Sequence, residues 1–149
     1  MSFEYSHIVV AIDGSNAAEY AFNKAIDIAK RNDAQLILSH VVDTRAFATV
    51  EAYDRSLAIR AEGYAKELLD EYQDKAKEAG VENVIIDVEY GSPKIKIAKD
   101  VAPKYKADLI ICGATGLNAM ERFFIGSVSE HITRYAKCDV LVVRMPEQK

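Results

Sequence analysis

Short apolar runs alternate with longer stretches of helical spacing along the chain. Runs such as Ile8–Ile12 and Leu109–Ile111 contain no polar position, which is typical of parallel strands covered on both faces. Between such runs, apolar residues recur every three or four positions, as on one face of a helix. The predicted strands span 7–12, 35–42, 84–90, 108–112 and 140–143, and the predicted helices span 16–31, 57–79, 94–105 and 127–137. Strands that alternate with helical crossovers predict an α/β fold, an open five-stranded parallel sheet with helices on both faces.

Local signals set the helix boundaries. Ser15 or Asn16 can cap the first helix, and Gly80 ends the second. Pro103 is expected to kink the third helix or end it early. Tyrosines on the second helix are interpreted as packing residues. The inner face of that helix is predicted to consist of Ala61, Tyr64, Ala65, Leu68, Tyr72, Ala76 and Ala79.

Composition restricts the classes of protein that fit. The chain has 149 residues, enough for a single domain over 1–149 with its own core. A net charge of −4 disfavours a general nucleic-acid surface, and no apolar run has the length of a membrane span. The segment 1–5 lacks the basic and apolar blocks of a signal peptide, and Cys112 and Cys138 have the surroundings of buried free thiols. We therefore expect a cytoplasmic protein.

The stretch 113–127, GATGLNAMERFFIGS, lies between a predicted strand and a predicted helix. This arrangement brings unpaired N–H groups and the positive end of a helix to the carboxyl edge of a sheet, where an anion can bind. Gly113 and Gly116 are expected to permit φ > 0 and a close approach of the backbone to a ligand. Ser127 and Ser129 offer hydroxyl donors to phosphate oxygens. An ordinary strand-to-helix turn with a serine N-cap would show the same pattern.

Other signatures of nucleotide sites and catalytic sites are absent from the sequence. There is no G-x4-G-K-[S/T] loop, no G-x-G-x-x-G after the first strand and no G-x-S-x-G elbow. His7, His40 and His131 have no metal-ligand spacing to one another or to the cysteines, and we interpret them as core or surface residues. A phosphate site in this chain would therefore depend on backbone groups and hydroxyls.

Three segments share a recognisable order. The spacing G-x2-G-x9-G-S ends at Gly126 and Ser127 and continues with Val-Ser. The segment His7–Ser15, HIVVAIDGS, precedes it, and 138–144, CDVLVVR, follows it. Together they resemble the universal stress protein family, in which the long glycine motif marks the ATP-binding subgroup. The sequence departs from the family at Cys138-Asp139, where a Cys-Pro pair is usual.

The resemblance implies a Rossmann-like sheet with strand order 3-2-1-4-5 and a ligand crevice between strands 1 and 4. It also implies ATP as the ligand, with Mg²⁺ or Mn²⁺. The implied nucleotide site consists of Ala11, Ile12, Asp13, Val41, Gly113, Thr115, Gly116, Arg122, Gly126, Ser127, Val128 and Ser129.

Several of these residues have a second interpretation. Asp13 can hold an Asx turn, or it can face the ribose or act as the ligand of a phosphate-bound metal ion. Val41 can be a core residue and also lie along the adenine, with its backbone at the base edge. Thr115 and Arg122 are either solvated loop residues or neighbours of the phosphates.

The function implied by the resemblance is that of an ATP-binding regulatory protein, not an enzyme, whose occupancy biases conformation or partner choice. Two alternatives remain. One is a slow ATPase or nucleotidyl transferase, and the other is a dimeric scaffold that does not need nucleotide.

Two further predictions concern regions outside the nucleotide site. The apolar strand 140–143 lies at the implied sheet edge, and we expect it to form a homodimer, as in the family. The connection 43–56 has no clear period and is long for a compact domain. We expect it to be mobile without nucleotide and to act as a lid, although a surface loop unrelated to binding fits equally well.

Overall fold

One parallel sheet organises the fold. The computed structural model describes residues 4–44, 55–115 and 125–146. Five strands in these ranges form a sheet with the order β3-β2-β1-β4-β5, as the resemblance implies. The strands are β1 (His7–Ala11), β2 (Gln35–Asp43), β3 (Val84–Gly91), β4 (Leu109–Gly113) and β5 (Asp139–Val143).

The centre of the sheet is β1. Its Val10 lies opposite Leu38 of β2 on one side and Ile111 of β4 on the other. The chain turns to β2 after β1, and to the opposite side of the sheet after β4. A crevice therefore opens at the carboxyl ends of β1 and β4, the usual place for a ligand in such a sheet.

Helices cover both faces of the sheet. None of those in the described ranges has both the length and the apolar character that a membrane crossing requires. The helical segments are α1 (Asn16–Asn32), α2 (Arg55–Glu78), α3 (Pro93–Lys96), a π-helical turn (Ile97–Val101), α4 (Ala102–Lys104) and α5 (Ser127–Tyr135).

Alternate strand residues contribute to two separate cores. On one face, Ile8 and Val10 pack with Phe22 of α1 and Leu69 of α2. On the other face, Val9 and its neighbours pack with the π-helical turn and α5. The period-2 pattern of β1 thus joins two layers of helices to one sheet.

The inner face of α2 was predicted correctly at Tyr72 and wrongly at Tyr64. Tyr72 is buried and meets the Phe22 ring edge to face, with centroids 4.6 Å apart. Tyr64 is 53% exposed. Leu69 is fully buried, whereas the predicted Leu68 is only partly buried.

The predicted third helix is one irregular helical stretch from Pro93 to Lys104. The Ala102 N–H donates to the Ile97 carbonyl, five residues back, in the turn that precedes Pro103. Since the proline ring would crowd the carbonyl four residues before it, a wider turn at this place accommodates the proline. Pro103 therefore follows a π turn that ends at Val101, and the stretch ends at Lys104, one residue before the predicted boundary.

The connection between β2 and α2 is shorter than predicted. Strand β2 runs through Asp43, and α2 begins at Arg55. The rest of the predicted lid, 45–54, lies outside the described residues. Its mobility stays a prediction.

Candidate functional site

The chain leaves β1 through a turn held by Asp13. The Ser15 N–H donates to Asp13 Oδ1 at 2.9 Å, and the Ala18 N–H donates to Ser15 Oγ at 3.1 Å. Gly14 has φ +86°, a conformation that favours glycine. Asp13 therefore forms the predicted Asx turn, and Ser15 caps α1. The other carboxylate oxygen of Asp13, Oδ2, accepts no hydrogen bond from the described residues. It could therefore contact a ligand at the carboxyl edge of the sheet.

Gly113, at the end of β4, serves a different purpose from the one expected. Its φ is not positive. A Cβ built on Gly113 would lie 2.8 Å from the backbone carbon of Ala17 in α1. Gly113 is therefore required because α1 packs directly on β4. The expectation of φ > 0 at this residue is wrong.

Ala114 fastens β4 to β5 and to the start of α5. Its N–H donates to the Val143 carbonyl at 2.9 Å. Its carbonyl accepts from the Gly126 N–H at 2.7 Å and lies 2.9 Å from Ser129 Oγ. These bonds hold the N-terminus of α5 beside the end of β4.

Ser129 is buried, and its hydroxyl lies within reach of two carbonyls. Ser129 Oγ is 2.9 Å from the Ala114 oxygen and 3.0 Å from the Gly126 oxygen. A hydroxyl has one proton to donate. In this structure that proton is donated to the Ala114 or the Gly126 carbonyl. Ser129 would therefore have to release that carbonyl before donating to a phosphate.

The first turn of α5 exposes backbone donors. Gly126 is the N-cap residue, with φ −65° and ψ 159°, so it does not need the positive φ that a glycine permits. The first hydrogen bond within the helix joins the Glu130 N–H to the Gly126 carbonyl. The N–H groups of Ser127, Val128 and Ser129 have no backbone partner in the described part of the chain. They carry the partial positive charge of the helix end, and Ser127 is exposed beside them.

Val41 presents its backbone to the same crevice. The Ile12 N–H donates to the Ser39 carbonyl at 2.8 Å, so the polar groups of Ser39 face β1. By alternation along the strand, those of Val41 face the same side. Strand β1 ends before it reaches Val41. The Ile12 carbonyl, which would be the next acceptor for the Val41 N–H, instead lies 2.7 Å from His40 Nδ1. The amide and carbonyl of Val41 therefore face the crevice and have no backbone partner among the described residues.

His40 and Tyr64 belong to the rim of this crevice, although the sequence did not indicate either. Their rings are 6.2 Å apart between centroids. Because a carbonyl can only accept, the short contact with Ile12 fixes the proton of His40 on Nδ1. Tyr64 extends over the β1 turn, where a Cβ on Gly14 would lie 2.6 Å from the Tyr64 hydroxyl. A histidine directly before Val41 was the only sequence signal that could have pointed to this rim.

The remaining candidate residues have mixed positions. Ile12 is buried in the core and Ala11 is half-buried, as is Thr115 just after β4. Gly116 and Arg122 lie outside the described residues. In the described part of the chain, no group of three or more His, Cys, Asp or Glu side chains could hold a metal ion.

Cys112 lies in β4, one residue before Gly113, and its environment excludes it as a nucleophile. Burial raises the pKa of its thiol to about 12. The thiolate, which is the reactive form, is therefore scarce at neutral pH. The structure confirms Cys112 as a buried free thiol and finds Cys138 free but only half-buried.

Comparison with known proteins gives a consistent result. The model of the "Universal stress protein family" matches residues 4–144. A Staphylococcus haemolyticus protein named "Putative universal stress protein" is 51% identical over 143 residues, which cover 96% of this chain and 87% of that protein.

Solved structures agree with this match. The universal stress protein UspA of Lactobacillus plantarum is 34% identical, with a TM-score of 0.86 over 96% of this chain and 100% of that one. A universal stress protein solved in complex with cAMP is 28% identical, with a TM-score of 0.73 over 96% of this chain and 99% of that one. The sheet order, the β1 turn and the loop before α5 thus occur in a chain that belongs to the universal stress protein family.

Proposed function

We propose that this protein binds ATP in the crevice between β1 and β4 and that occupancy regulates its conformation or its choice of partner. The observation that carries the proposal is the set of amides at Ser127, Val128 and Ser129. They have no backbone partner in the described ranges, and the Ala114 bonds hold them at the carboxyl edge. Such amides bind phosphate without a P-loop lysine. A relative solved with cAMP supports an adenine nucleotide as the ligand class.

The base would lie against β2. Adenine has an acceptor and a donor on one edge, and the open amide and carbonyl of Val41 match that pair. Tyr64 and His40 form an aromatic rim on the α2 side of the same opening. The Val41 side chain is buried and packs in the core, so its two predicted roles are compatible.

Asp13 is the carboxylate that suits a nucleotide-bound metal ion. Mg²⁺ commonly takes one or two carboxylates, with phosphate oxygens and water as its other ligands. The open Oδ2 of Asp13 fits this role, while Oδ1 keeps the turn. Bound Mg²⁺ or Mn²⁺ would neutralise phosphate charge, and Asp13 would orient it.

Mutation of the α5 N-terminus tests the proposal. Gly126→Val should abolish or greatly weaken Mg-ATP binding, because its side chain occupies the approach to the amides. Its φ of −65° suits valine, so the fold should persist. Ser127→Ala should cost roughly 1.5–3 kcal/mol, about ten- to a hundredfold in affinity. Titration calorimetry and melting curves measure the two effects.

The same experiment separates the alternatives. Unchanged ATP affinity in a folded Gly126→Val protein would contradict the phosphate site. Steady ATP turnover that disappears in Asp13→Asn, while binding remains, would favour a slow ATPase or a nucleotidyl transferase. A purified chain that retains no adenine nucleotide, as judged by mass spectrometry, would favour the scaffold.

We also propose a homodimer through β5. The Ala114 N–H donates to the Val143 carbonyl, so the backbone groups of Val143 and Leu141 face β4. By alternation, those of Val142 and Val140 face the outer edge of the sheet. Their side chains are half-buried and apolar, which makes this edge suitable for pairing with a second copy.

Proline substitutions distinguish the edge from the interior. Val142→Pro removes an outward donor and should weaken the dimer while the monomer stays folded. Leu141→Pro, the matched control, removes a donor to β4 and should destabilise the fold. Analytical ultracentrifugation gives the dimer affinity. A wild-type chain that sediments as a monomer at micromolar concentration would defeat the proposal.

A further inference from the structure

A second concavity lies at the opposite edge of the sheet from the nucleotide crevice. It runs between the stretch 98–107 and the segment from Tyr135 to Cys138, and its volume is about 510 Å³. Ala107 precedes β4 and Cys138 precedes β5, so the concavity belongs to the amino ends of these strands. It shares no residue with the proposed ATP site.

Three lysines line this concavity, here called the lysine groove: Lys99, Lys106 and Lys137, with Tyr135 and Cys138. Among the described residues, no acidic side chain lines it. The three lysines form no ion pair with any residue in the described ranges. In a chain of net charge −4, the groove brings three lysines together. Two carboxylates, Asp108 and Asp139, lie near Cys138, where they help to raise the pKa of its thiol. They accept hydrogen bonds from the Ser6 and His7 N–H groups and from the Tyr5 hydroxyl, and they form no ion pair with the groove lysines among the described residues.

The rest of the groove is apolar and offers an aromatic face. Ala102, Pro103 and Ala107 contribute aliphatic surface to it. The Tyr135 ring is half-exposed, and Lys99 Nζ lies 5.9 Å from its centroid. An ammonium group beside a ring and an apolar surface match a ligand with one flat apolar part and one anionic part.

Lys106 has a backbone conformation that glycine adopts more easily. Its φ is +53°, and the N–H groups of Lys106 and Ala107 close the helix end on the carbonyls of Pro103 and Ala102. The end of α2 has the same pattern of bonds with Gly80 in this position. A lysine at 106 is therefore unnecessary for ending the helix, which makes Lys106→Gly a substitution that removes the side chain alone.

We propose that the lysine groove binds a small aromatic anion, an aryl phosphate, carboxylate or sulfonate. The lysines contact the anionic group, and the ring lies on the apolar surface beside Tyr135. A volume of about 510 Å³ is within the range of small-molecule sites, roughly 300–1,000 Å³. The proposal does not depend on ATP binding at the other edge of the sheet.

Titration of the full chain with 1-naphthyl phosphate tests the proposal. Two-dimensional ¹H–¹⁵N NMR should show saturable shifts at Ala107, Tyr135 and Cys138. Naphthol and inorganic phosphate, each of which offers half of the ligand, should bind at least about tenfold more weakly. Affinity should fall as ionic strength rises, because exposed charges are screened.

Variants identify the groups that bind. Lys99→Gln and Lys137→Gln should each weaken binding about two- to fivefold, the range expected for exposed charge pairs. Lys106→Gly should weaken binding comparably while its melting temperature stays unchanged or rises. Lys24→Gln, which removes an exposed lysine from α1, is the matched control and should leave binding unchanged.

Alkylation of Cys138 gives an independent readout. Cys138 is half-buried and lines the groove, whereas Cys112 is buried in β4. Saturating 1-naphthyl phosphate should slow iodoacetamide labelling of Cys138 in the folded chain. Shifts confined to Gly113–Thr115 and to 126–129 would place the ligand in the nucleotide crevice and overturn the proposal. Equal affinity in the wild type and in a Lys99→Gln/Lys137→Gln double variant would overturn it as well.

Discussion

The two faces of the sheet are stabilised by different kinds of contact. Under α1 and α2 the contacts are apolar, as in the edge-to-face pair of Phe22 and Tyr72 over the aliphatic core. The other face, under α3 to α5, contains Asp87, a charged residue that is only 5% exposed. It also carries a π-helical turn and an α5 histidine, His131, whose buried Nε2 has no partner among the described residues.

Asp87 connects β3 to neighbouring elements. Its carboxylate accepts from Ser39 Oγ at 3.3 Å, from the Tyr105 hydroxyl at 2.7 Å and from Lys104 Nζ at 3.1 Å. Burial and the bond to Asp87 raise the pKa of Tyr105, and the carboxylate raises the pKa of Lys104. The first face therefore depends on packing, and the second also depends on charge state. It is the second face that carries α5, the helix of the proposed phosphate site.

The largest expected effect comes from a cavity on the apolar face. Leu69→Ala should lower the free energy of unfolding by about 2–5 kcal/mol, because Leu69 is fully buried. Denaturant titration measures the loss. Leu57→Ala, on the more exposed first turns of the same helix, is the control and should change stability by less than about 0.5 kcal/mol. Equal losses in both variants would show that α2 is not anchored at Leu69.

A smaller loss is expected from the polar network on the other face. Asp87→Ala leaves the Ser39 and Tyr105 hydroxyls without their acceptor and should cost about 1–3 kcal/mol. Glu89→Ala removes a second carboxylate from Lys104 but one that is far less buried, and should cost less than about 1 kcal/mol. If Asp87→Ala were as stable as Glu89→Ala, the hydrogen bonds of Asp87 would contribute nothing to stability, and packing alone would stabilise this face.

The smallest effect is a pH dependence at His131. Burial of the ring, with Lys94, Lys99 and Arg134 nearby, lowers the pKa of His131 below its ordinary 6.5. The unfolded chain therefore binds this proton more readily. The stability from neutral His131 is present above about pH 6.5 and is lost as pH falls toward the folded pKa. His131→Phe keeps a ring against Tyr135 and should flatten this part of the stability profile.

Chemical unfolding at several pH values around 6.5 measures the His131 contribution. Lys94→Gln removes one of the nearby cations and should reduce the pH dependence without abolishing it. Identical profiles in the wild type and His131→Phe would mean that the buried nitrogen does not titrate with folding.

Sequence patterns predicted the architecture better than they predicted roles. Apolar runs and helical periods located all five strands of the described residues, because burial on both faces leaves an unambiguous signature. Tyr64 was misassigned because it lies over the β1 turn, beside Gly14, where its ring stays 53% exposed. Asp87 was missed because its partners lie 17, 18 and 48 residues away in the chain.

In the proposed site, too, local contacts could be predicted from the sequence and long-range contacts could not. The turn at Asp13 and the cap at Ser15 depend on neighbours two or three residues away, so the sequence indicates them directly. The open backbone of Val41 depends on where another strand ends, and the bonds of Ser129 depend on Ala114. Tertiary contacts of this kind have no local signature. Binding itself stays a prediction for every residue of the site.

The packing of Gly113 limits what the glycine motif indicates about nucleotide binding in a relative. Its missing Cβ is required by Ala17, a residue of the fold rather than of any ligand. A descendant that lost its nucleotide would still be selected to keep this glycine, since α1 would continue to lie on β4. The first glycine of the motif therefore reports the packing of α1 on β4, whether or not a ligand binds. Gly126, whose φ of −65° does not need a glycine, is more informative about the ligand.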